Sequence, residues 1–379
     1  MALSKIDVAN MLTGLVPNDN TIRRPNAKPL IINGDMQVAQ RGTSFTHANS
    51  NNNEFPVDRF QFVLGSIGEY TSIQESLSSG AAYNAGFKKA ARIDTTSAVS
   101  SPDAGDYFWF QYIMEAQDCL VFKKGTSSAE KMTVAFWVKS NKTGTGQLTV
   151  KDSDNDRQVA GTYAISSADT WEHKVINLPA DTSGAMNNDN GAGFRFEWWL
   201  GAGSSYSGGA VPTVWEARAD GDRGVSTLAI NDNTANDWAI TGIQVEVGEF
   251  SSTTLPPFQF EDTGDNLLRC KRYYQTTVMP DTSDYWGQGY YYTNSEFTCK
   301  MPIQEMRAQP TLDQVSGSNY FTVYSNNAGD AINDFALDGS SSRRCVSFTD
   351  TGESSGTAGF GGGIYKTNAS ARFAFDAEL

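Results

Sequence analysis

Residues 194–200 read Phe194-Arg-Phe-Glu-Trp-Trp-Leu200, and side chains alternate between the two faces of a β-strand. Phe194, Phe196, Trp198 and Leu200 then share one apolar face, while Arg195, Glu197 and Trp199 share the other. Thr133-Val-Ala-Phe-Trp-Val-Lys139 has the same period, with Val134, Phe136 and Val138 on one side and Trp137 and Lys139 opposite. Each segment predicts a strand with one buried and one wetter face. Further strands are expected around residues 108–113, 147–150, 173–178, 211–217 and 240–247. About eight to ten strands at this spacing, with no helical pattern between them, predict a two-sheet jelly-roll sandwich.

Composition agrees with a mainly β chain. Glycine contributes 35 of 379 residues, aromatics 12% and charged residues only 19%, so short strands and polar turns are favoured over long charged helices. The length exceeds one ordinary domain. A net charge of −14 repels phosphate backbones, and no Lys/Arg run exceeds two residues, which argues against nucleic-acid binding. No apolar run reaches the length of a membrane span, and no signal-peptide pattern opens the sequence, so neither membrane insertion nor secretion is expected. Cys119, Cys270, Cys299 and Cys345 lie too far apart for a redox or zinc motif and read as buried thiols. His47 and His173 are the only histidines, which leaves little material for a His-based triad or metal site.

Three units are expected along the chain. Residues 1–28 hold a short helix and linker: Ser4 and Asp7 resemble a capping box, and Val8, Met11, Leu12 and Leu15 fall on one face. Residues 29–260 hold the sandwich, opening with a strand over 28–40 that Asn33-Gly-Asp35 interrupts, and ending at Pro256-Pro257. Residues 261–379 hold a helix from about 266 to 275, with Leu267, Cys270 and Tyr274 on one stripe, and then a smaller β domain. Its candidate strands are 290–292, 297–301, 320–324, 345–348 and 372–375, with Gly359-Phe-Gly-Gly-Gly363 read as a turn. Asp58 beside Arg59 suggests a structural ion pair.

Several segments resemble virion proteins of tailed bacteriophages, of the tail-fibre type. They are Asn33-Gly-Asp-Met36 with Arg41-Gly42 and Asp58-Arg-Phe60; Ile240-Thr-Gly-Ile-Gln-Val-Glu-Val-Gly248; Cys270-Lys-Arg-Tyr-Tyr-Gln275; Pro302-Ile-Gln-Glu-Met-Arg-Ala-Gln-Pro310; and Phe375-Asp-Ala-Glu-Leu379. The resemblance implies a sandwich like a carbohydrate-binding module, with a galactose-binding-like jelly roll. It also implies a virion structural protein, of tail or head fibre type, assembled in the host cytoplasm and displayed toward host surface polysaccharide. Self-association as a homotrimer, and attachment to other virion proteins through the N-terminus, follow from the same likeness. A capsid decoration protein without glycan binding is the alternative, and a polysaccharide depolymerase a third reading. None of these segments is a catalytic signature, so no enzyme is expected.

Sugar recognition requires flat aromatic faces and planar polar groups. Trp199 with Arg195 and Glu197 on the wetter face of its strand is the first candidate site, and Trp137 beside Lys139 the second; packing beneath loops or neighbouring subunits is the competing role for both tryptophans. Tyr285, Trp286, Tyr290, Tyr291 and Tyr292 form a further aromatic cluster, read as a tip surface, a subunit interface or core. Asp152-Ser-Asp-Asn-Asp156 spaces its carboxylates like a calcium loop, but Arg157 and Tyr163 occupy the places where an EF-hand needs Gly and Glu. It is read as a solvated acidic turn, with a structural calcium as the alternative and no other cofactor expected.

Overall fold

The computed structural model describes residues 28–47, 54–277, 285–350 and 352–379; the expected N-terminal helix lies outside them. The first thirteen strands are β1 (Ser44–His47), β2 (Glu54–Val57), β3 (Phe60–Gly65), β4 (Glu69–Ser76), β5 (Lys89–Ser97), β6 (Tyr107–Glu115), β7 (Met132–Lys139), β8 (Gly144–Asp152), β9 (Arg157–Ile165), β10 (Glu172–Leu178), β11 (Ala192–Ala202), β12 (Glu216–Ala217) and β13 (Asp237–Val247). They form two antiparallel sheets with strand orders β1-β4-β5-β13-β7-β10 and β12-β9-β8-β11-β6-β3-β2. The fold is a jelly-roll β-sandwich.

The alternation in the sequence becomes the contact between the sheets. Phe194, Phe196, Trp198 and Leu200 of β11 share one core with Val134, Phe136 and Val138 of β7. Phe136 meets Trp198 edge-on at 5.7 Å, and Phe110 meets Trp238 at 5.6 Å, arrangements that favour the ring quadrupoles.

Strand β13 contains a bulge between Thr241 and Gln244, with Gly242 at φ 63°. The Ile243 N–H is thereby released from the ladder, and the Gly34 carbonyl accepts it at 3.0 Å. A Cβ at position 34 would lie 2.3 Å from the Ile243 oxygen, so this close approach requires glycine. Beyond the bulge Ile243 and Val245 are buried, while Gln244 and Glu246 pair with each other on the outer face at 2.8 Å.

The strand expected over residues 28–40 is absent. These residues run as coil around a turn at 32–35, in which Asn33 adopts φ 61°. The Asn33 amide donates to the Val38 and Asp58 carbonyls and its oxygen accepts the Val38 N–H, so a side chain supplies the bonding that a ladder would give. The expected strand over 211–217 shrinks to Glu216–Ala217.

The linker helix spans Thr263–Cys270, capped by Asp262, which accepts the Gly264 N–H. Cys270 therefore ends the helix. The next residues form β14 (Tyr274–Thr276), followed by β15 (Tyr285–Thr293), β16 (Glu296–Pro302), β17 (Thr311–Val315), β18 (Phe321–Ser325), β19 (Ala328–Ile332), β20 (Phe335–Leu337), β21 (Cys345–Asp350), β22 (Gly361–Lys366) and β23 (Arg372–Asp376). Their sheets have orders β14-β23-β17 and β19-β18-β22-β15-β16-β21-β20, packed around Trp286, Phe321, Phe335, Phe348 and Phe373. Gly361–Lys366 is a strand where the sequence predicts a turn. A Cβ at Gly363 would meet the Tyr285 ring at 2.5 Å, so glycine here admits a neighbouring aromatic. The four cysteines are free thiols, and Cys119, Cys270 and Cys299 are buried.

Candidate functional site

The expected site around Trp199 is closed. Trp199 and Glu197 are both fully buried beneath residues 203–226, which fold back over the outer face of the β11 sheet. Tyr206 packs on Trp199 at 5.5 Å, and a Cβ at Gly224 would sit 2.5 Å from the Trp199 ring. Arg223 holds Glu197 bidentately, its Nη2 donating to Oε1 at 2.8 Å and its Nε to Oε2 at 3.2 Å. The Trp199 indole donates to the same Oε2 at 3.2 Å, and the Arg223 guanidinium lies 5.1 Å from the Trp109 ring and 5.2 Å from that of Trp199. This corrects the expectation of an open stacking face: Trp199 and Glu197 serve as packing and pairing residues. Arg195 remains partly exposed at the edge of the cover.

Trp137 is partly exposed on the outer face of the other sheet. His173 lies opposite it in register on β10, and the rings stand 4.9 Å apart with 33° between their planes. The His173 ring is otherwise exposed; its partial desolvation against Trp137, and secondarily the Lys174 charge, lowers its pKa from the ordinary value, so it stacks mainly as a neutral aromatic at pH 7. Lys139, two residues along β7, places its ammonium 5.4 Å from the Trp171 ring.

A polar group adjoins these rings. Arg92 on β5 pairs with Asp94 at 2.7 Å, Asp237 at 3.1 Å and Glu75 at 3.3 Å, and Lys139 reaches the same Glu75 oxygen at 3.6 Å. Ala90 and Ala239 occupy outer-face positions on β5 and β13, buried in an apolar cluster with Leu77, Ala82, Phe87 and Trp171 against which one side of Trp137 packs. Burial raises the Asp94 carboxyl pKa despite the adjacent Arg92 guanidinium. The shelf thus combines a flat aromatic pair with fixed planar carboxylate and guanidinium groups, which can stack on a ring and bond its hydroxyls.

Sequence reasoning singled out Trp137 and Lys139; the structure places His173, Glu75, Arg92, Asp94 and Asp237 around them. Arg92 and Asp94 alternate with buried Ala91 and Ile93 on β5, a local signal. Their assembly with Glu75, Lys139 and Asp237 depends on the strand order β4-β5-β13-β7, which no local pattern encodes.

The remaining candidates resolve differently. Trp286 and Tyr291 enter the C-terminal core, whereas Tyr285, Tyr290 and Tyr292 are exposed. Asp152 accepts the Asp154 and Asn155 N–H groups and pairs with Lys124 at 2.6 Å, so a buried ammonium already faces the start of the acidic loop. Among the described residues no group of His, Cys, Asp or Glu side chains is arranged to hold a metal ion.

No protein-family model matches the sequence, and neither does any curated protein. Among solved structures, the enzymatically active domain of bacteriophage CBA120 tailspike protein 4 is 10% identical over 58% of this chain, with a TM-score of 0.27; the match spans 21% of that chain. The xylan-binding domain CBM22-1 of Paenibacillus barcinonensis is 9% identical over 59% of this chain and 97% of its own, with a TM-score of 0.27. A family 11 carbohydrate-binding module from Clostridium thermocellum, in complex with a mixed-linked tetrasaccharide, is 7% identical over 55% of this chain and 96% of its own, with a TM-score of 0.26. The jelly-roll assignment rests on the strand order and register described above.

Proposed function

We propose that this chain is a non-enzymatic glycan-binding display protein of a tailed-phage particle, of tail or head fibre type, contacting host surface polysaccharide through the Trp137 shelf. The observation that carries the glycan reading is the pairing of Trp137 with neutral His173 beside the Arg92, Glu75 and Lys139 group. An aromatic face provides stacking area at low entropic cost, and ion-paired side chains already fixed in position bind hydroxyls without first being ordered. The virion reading is supported by the sequence segments that resemble fibre-type proteins.

The test is calorimetry of the full chain against a panel of neutral polysaccharides, with Trp137→Ala as the variant. The expected result is binding by the wild-type chain and a loss on the order of 2 kcal/mol, roughly thirtyfold in Kd, for the variant, with its cooperative melt retained. Absence of binding to every polysaccharide would favour a decoration role, and shortening of any polymer on incubation would show an enzyme.

A further inference from the structure

Arg195 is the only arginine among the described residues with neither a hydrogen bond nor an ion pair; every other has at least one. Its Nε is buried without a partner. Glu197, the carboxylate nearest along its own strand, is already engaged by Arg223. In register with Arg195 on β8 lies Lys151, a second cation on the same face. The nearest carboxylate to Lys151 is Asp156 at 3.8 Å, and that oxygen already accepts the Arg218 Nε at 2.7 Å.

Like charges directly opposite each other on antiparallel strands destabilise a sheet. Here both are also partly desolvated. Burial lowers the Arg195 pKa, with Glu197 opposing and Arg223 adding to the shift. Burial likewise lowers that of Lys151, and the Arg218, Arg195 and Arg223 charges add to it. In a chain of net charge −14, acidic side chains are plentiful, yet Arg195 has no ion pair and Lys151 only the shared Asp156 oxygen at 3.8 Å.

We propose that Arg195 and Lys151 form a binding site for the carboxylate of an acidic saccharide, a uronate residue, on the outer face of β11 and β8. A free guanidinium fork matches the two oxygens of a carboxylate, and an adjacent ammonium adds a point charge. Ile113, in register with Arg195 on β6, leads into a shallow cleft that it lines with Phe55, Gln61, Gln111, Leu379 and the paired Arg59 and Glu378. The sugar ring lies over Ile113, on the side of the sheet where Gln61 accepts the Gln111 amide at 2.7 Å. That a sugar carries the carboxylate rests on the glycan-binding reading. The two sites can fail separately because they lie on opposite sheets.

The test uses the full chain with polygalacturonate, dextran sulfate and neutral dextran, by calorimetry at low and high salt and by thermal shift. Polygalacturonate is expected to bind with an affinity that falls as salt rises and to raise the melting temperature. Arg195→Gln and Lys151→Gln each weaken it by about tenfold or more, while melting no lower than wild type, because each removes a repelled cation. Trp137→Ala leaves this binding intact. Failure of polygalacturonate to bind, undiminished binding by both variants, or its loss in Trp137→Ala overturns the proposal. Equally tight binding of dextran sulfate, lost in the same variants, replaces the carboxylate with a tetrahedral anion and also overturns it. Binding of polygalacturonate without any neutral glycan upholds this site and refutes the Trp137 reading.

Discussion

Arg272→Met tests the joint between the sandwich and the C-terminal domain. Glu115, at the end of β6, has a fully buried side chain. Its Oε1 accepts the Arg272 Nε at 2.7 Å and the Tyr273 hydroxyl at 2.6 Å; its Oε2 accepts the Arg272 Nη2 at 2.7 Å and the Gln117 amide at 2.5 Å. Arg272 retains 32% side-chain exposure, so the two partners are unequal. Removing the arginine strands a buried carboxylate, which costs about 3–5 kcal/mol. Glu115→Gln instead leaves a guanidinium that water can reach and a neutral acceptor in place, at about 1–3 kcal/mol. The double substitution should therefore recover part of the Arg272→Met loss. The pH dependence follows the same charge. Burial alone would raise the Glu115 pKa, but the Arg272 and Tyr273 hydrogen bonds hold it below the ordinary carboxylate value. A depressed folded pKa contributes stability above the unfolded value of 4.5, lost as pH falls through the folded one. Arg272→Met removes the largest lowering cause, so the Glu115 carboxyl takes up its proton at higher pH in the variant, and the stability deficit of the variant relative to wild type should shrink as pH falls. Urea unfolding at pH 7 and an acid titration followed by far-UV circular dichroism measure both quantities. A loss below about 1 kcal/mol, the range of an exposed pair, or a deficit that stays the same from pH 7 into acid would refute the reasoning.

Gly224→Ala drives a methyl group into the Trp199 ring, so the cover over the β11 sheet should loosen at a cost of about 1–3 kcal/mol, with a red shift in tryptophan fluorescence; an unchanged spectrum and melt would contradict the closed site. Glu378→Ala leaves Arg59, whose side chain is 1% exposed, without its carboxylate and should cost about 3–5 kcal/mol, read as a lower urea midpoint. His173 has a folded pKa below that of the free imidazole, so protonation opposes folding; stability that it leaves intact above about pH 6.5 should decline as pH falls further, and His173→Phe should remove that part of the acid dependence.

Strand alternation is a local property, and it was legible where a face is wholly apolar. Phe194, Phe196 and Trp198 could be assigned to the core because every second residue is large and hydrophobic. Trp199 shows the limit of the same rule. Period alone places it with Arg195 and Glu197 on the outer face, and it is there, but residues 203–226 cover it. Gly224 and Arg223 make that cover through one missing side chain and one ion pair, neither of which has a periodic signal. The C-terminal strand β22 was misread for a related reason. Gly361-Gly-Gly363 has the composition of a turn, whereas its glycines accommodate neighbouring side chains such as Tyr285. The Trp137 shelf was half legible: the tryptophan and Lys139 share a strand, but their partners arrive from β4, β5, β10 and β13.

Several segments singled out in the sequence meet in the structure. Arg59 of the Asp58-Arg-Phe60 segment does not pair with Asp58. It pairs with Glu378 of the C-terminal Phe375-Asp-Ala-Glu-Leu379 and lies 3.4 Å from the Tyr273 ring centre. Asp58 instead accepts the Gln40 N–H at 2.8 Å. Arg41 pairs with Asp376 at 2.9 Å and sits between the rings of Phe55 and Tyr274. Arg307, from the Pro302–Pro310 segment, donates to the Ala377 and Glu378 carbonyls, and Asn266, in the helix ahead of Cys270, donates to Asn33. Scattered along the chain, these residues converge on one joint where the sandwich meets the C-terminal domain. Buried arginines require fixed partners, because an unpaired one costs several kcal/mol. Such a joint therefore couples residues on both sides of it, so that replacing one buried arginine or its partner loosens both sheets' ends at once.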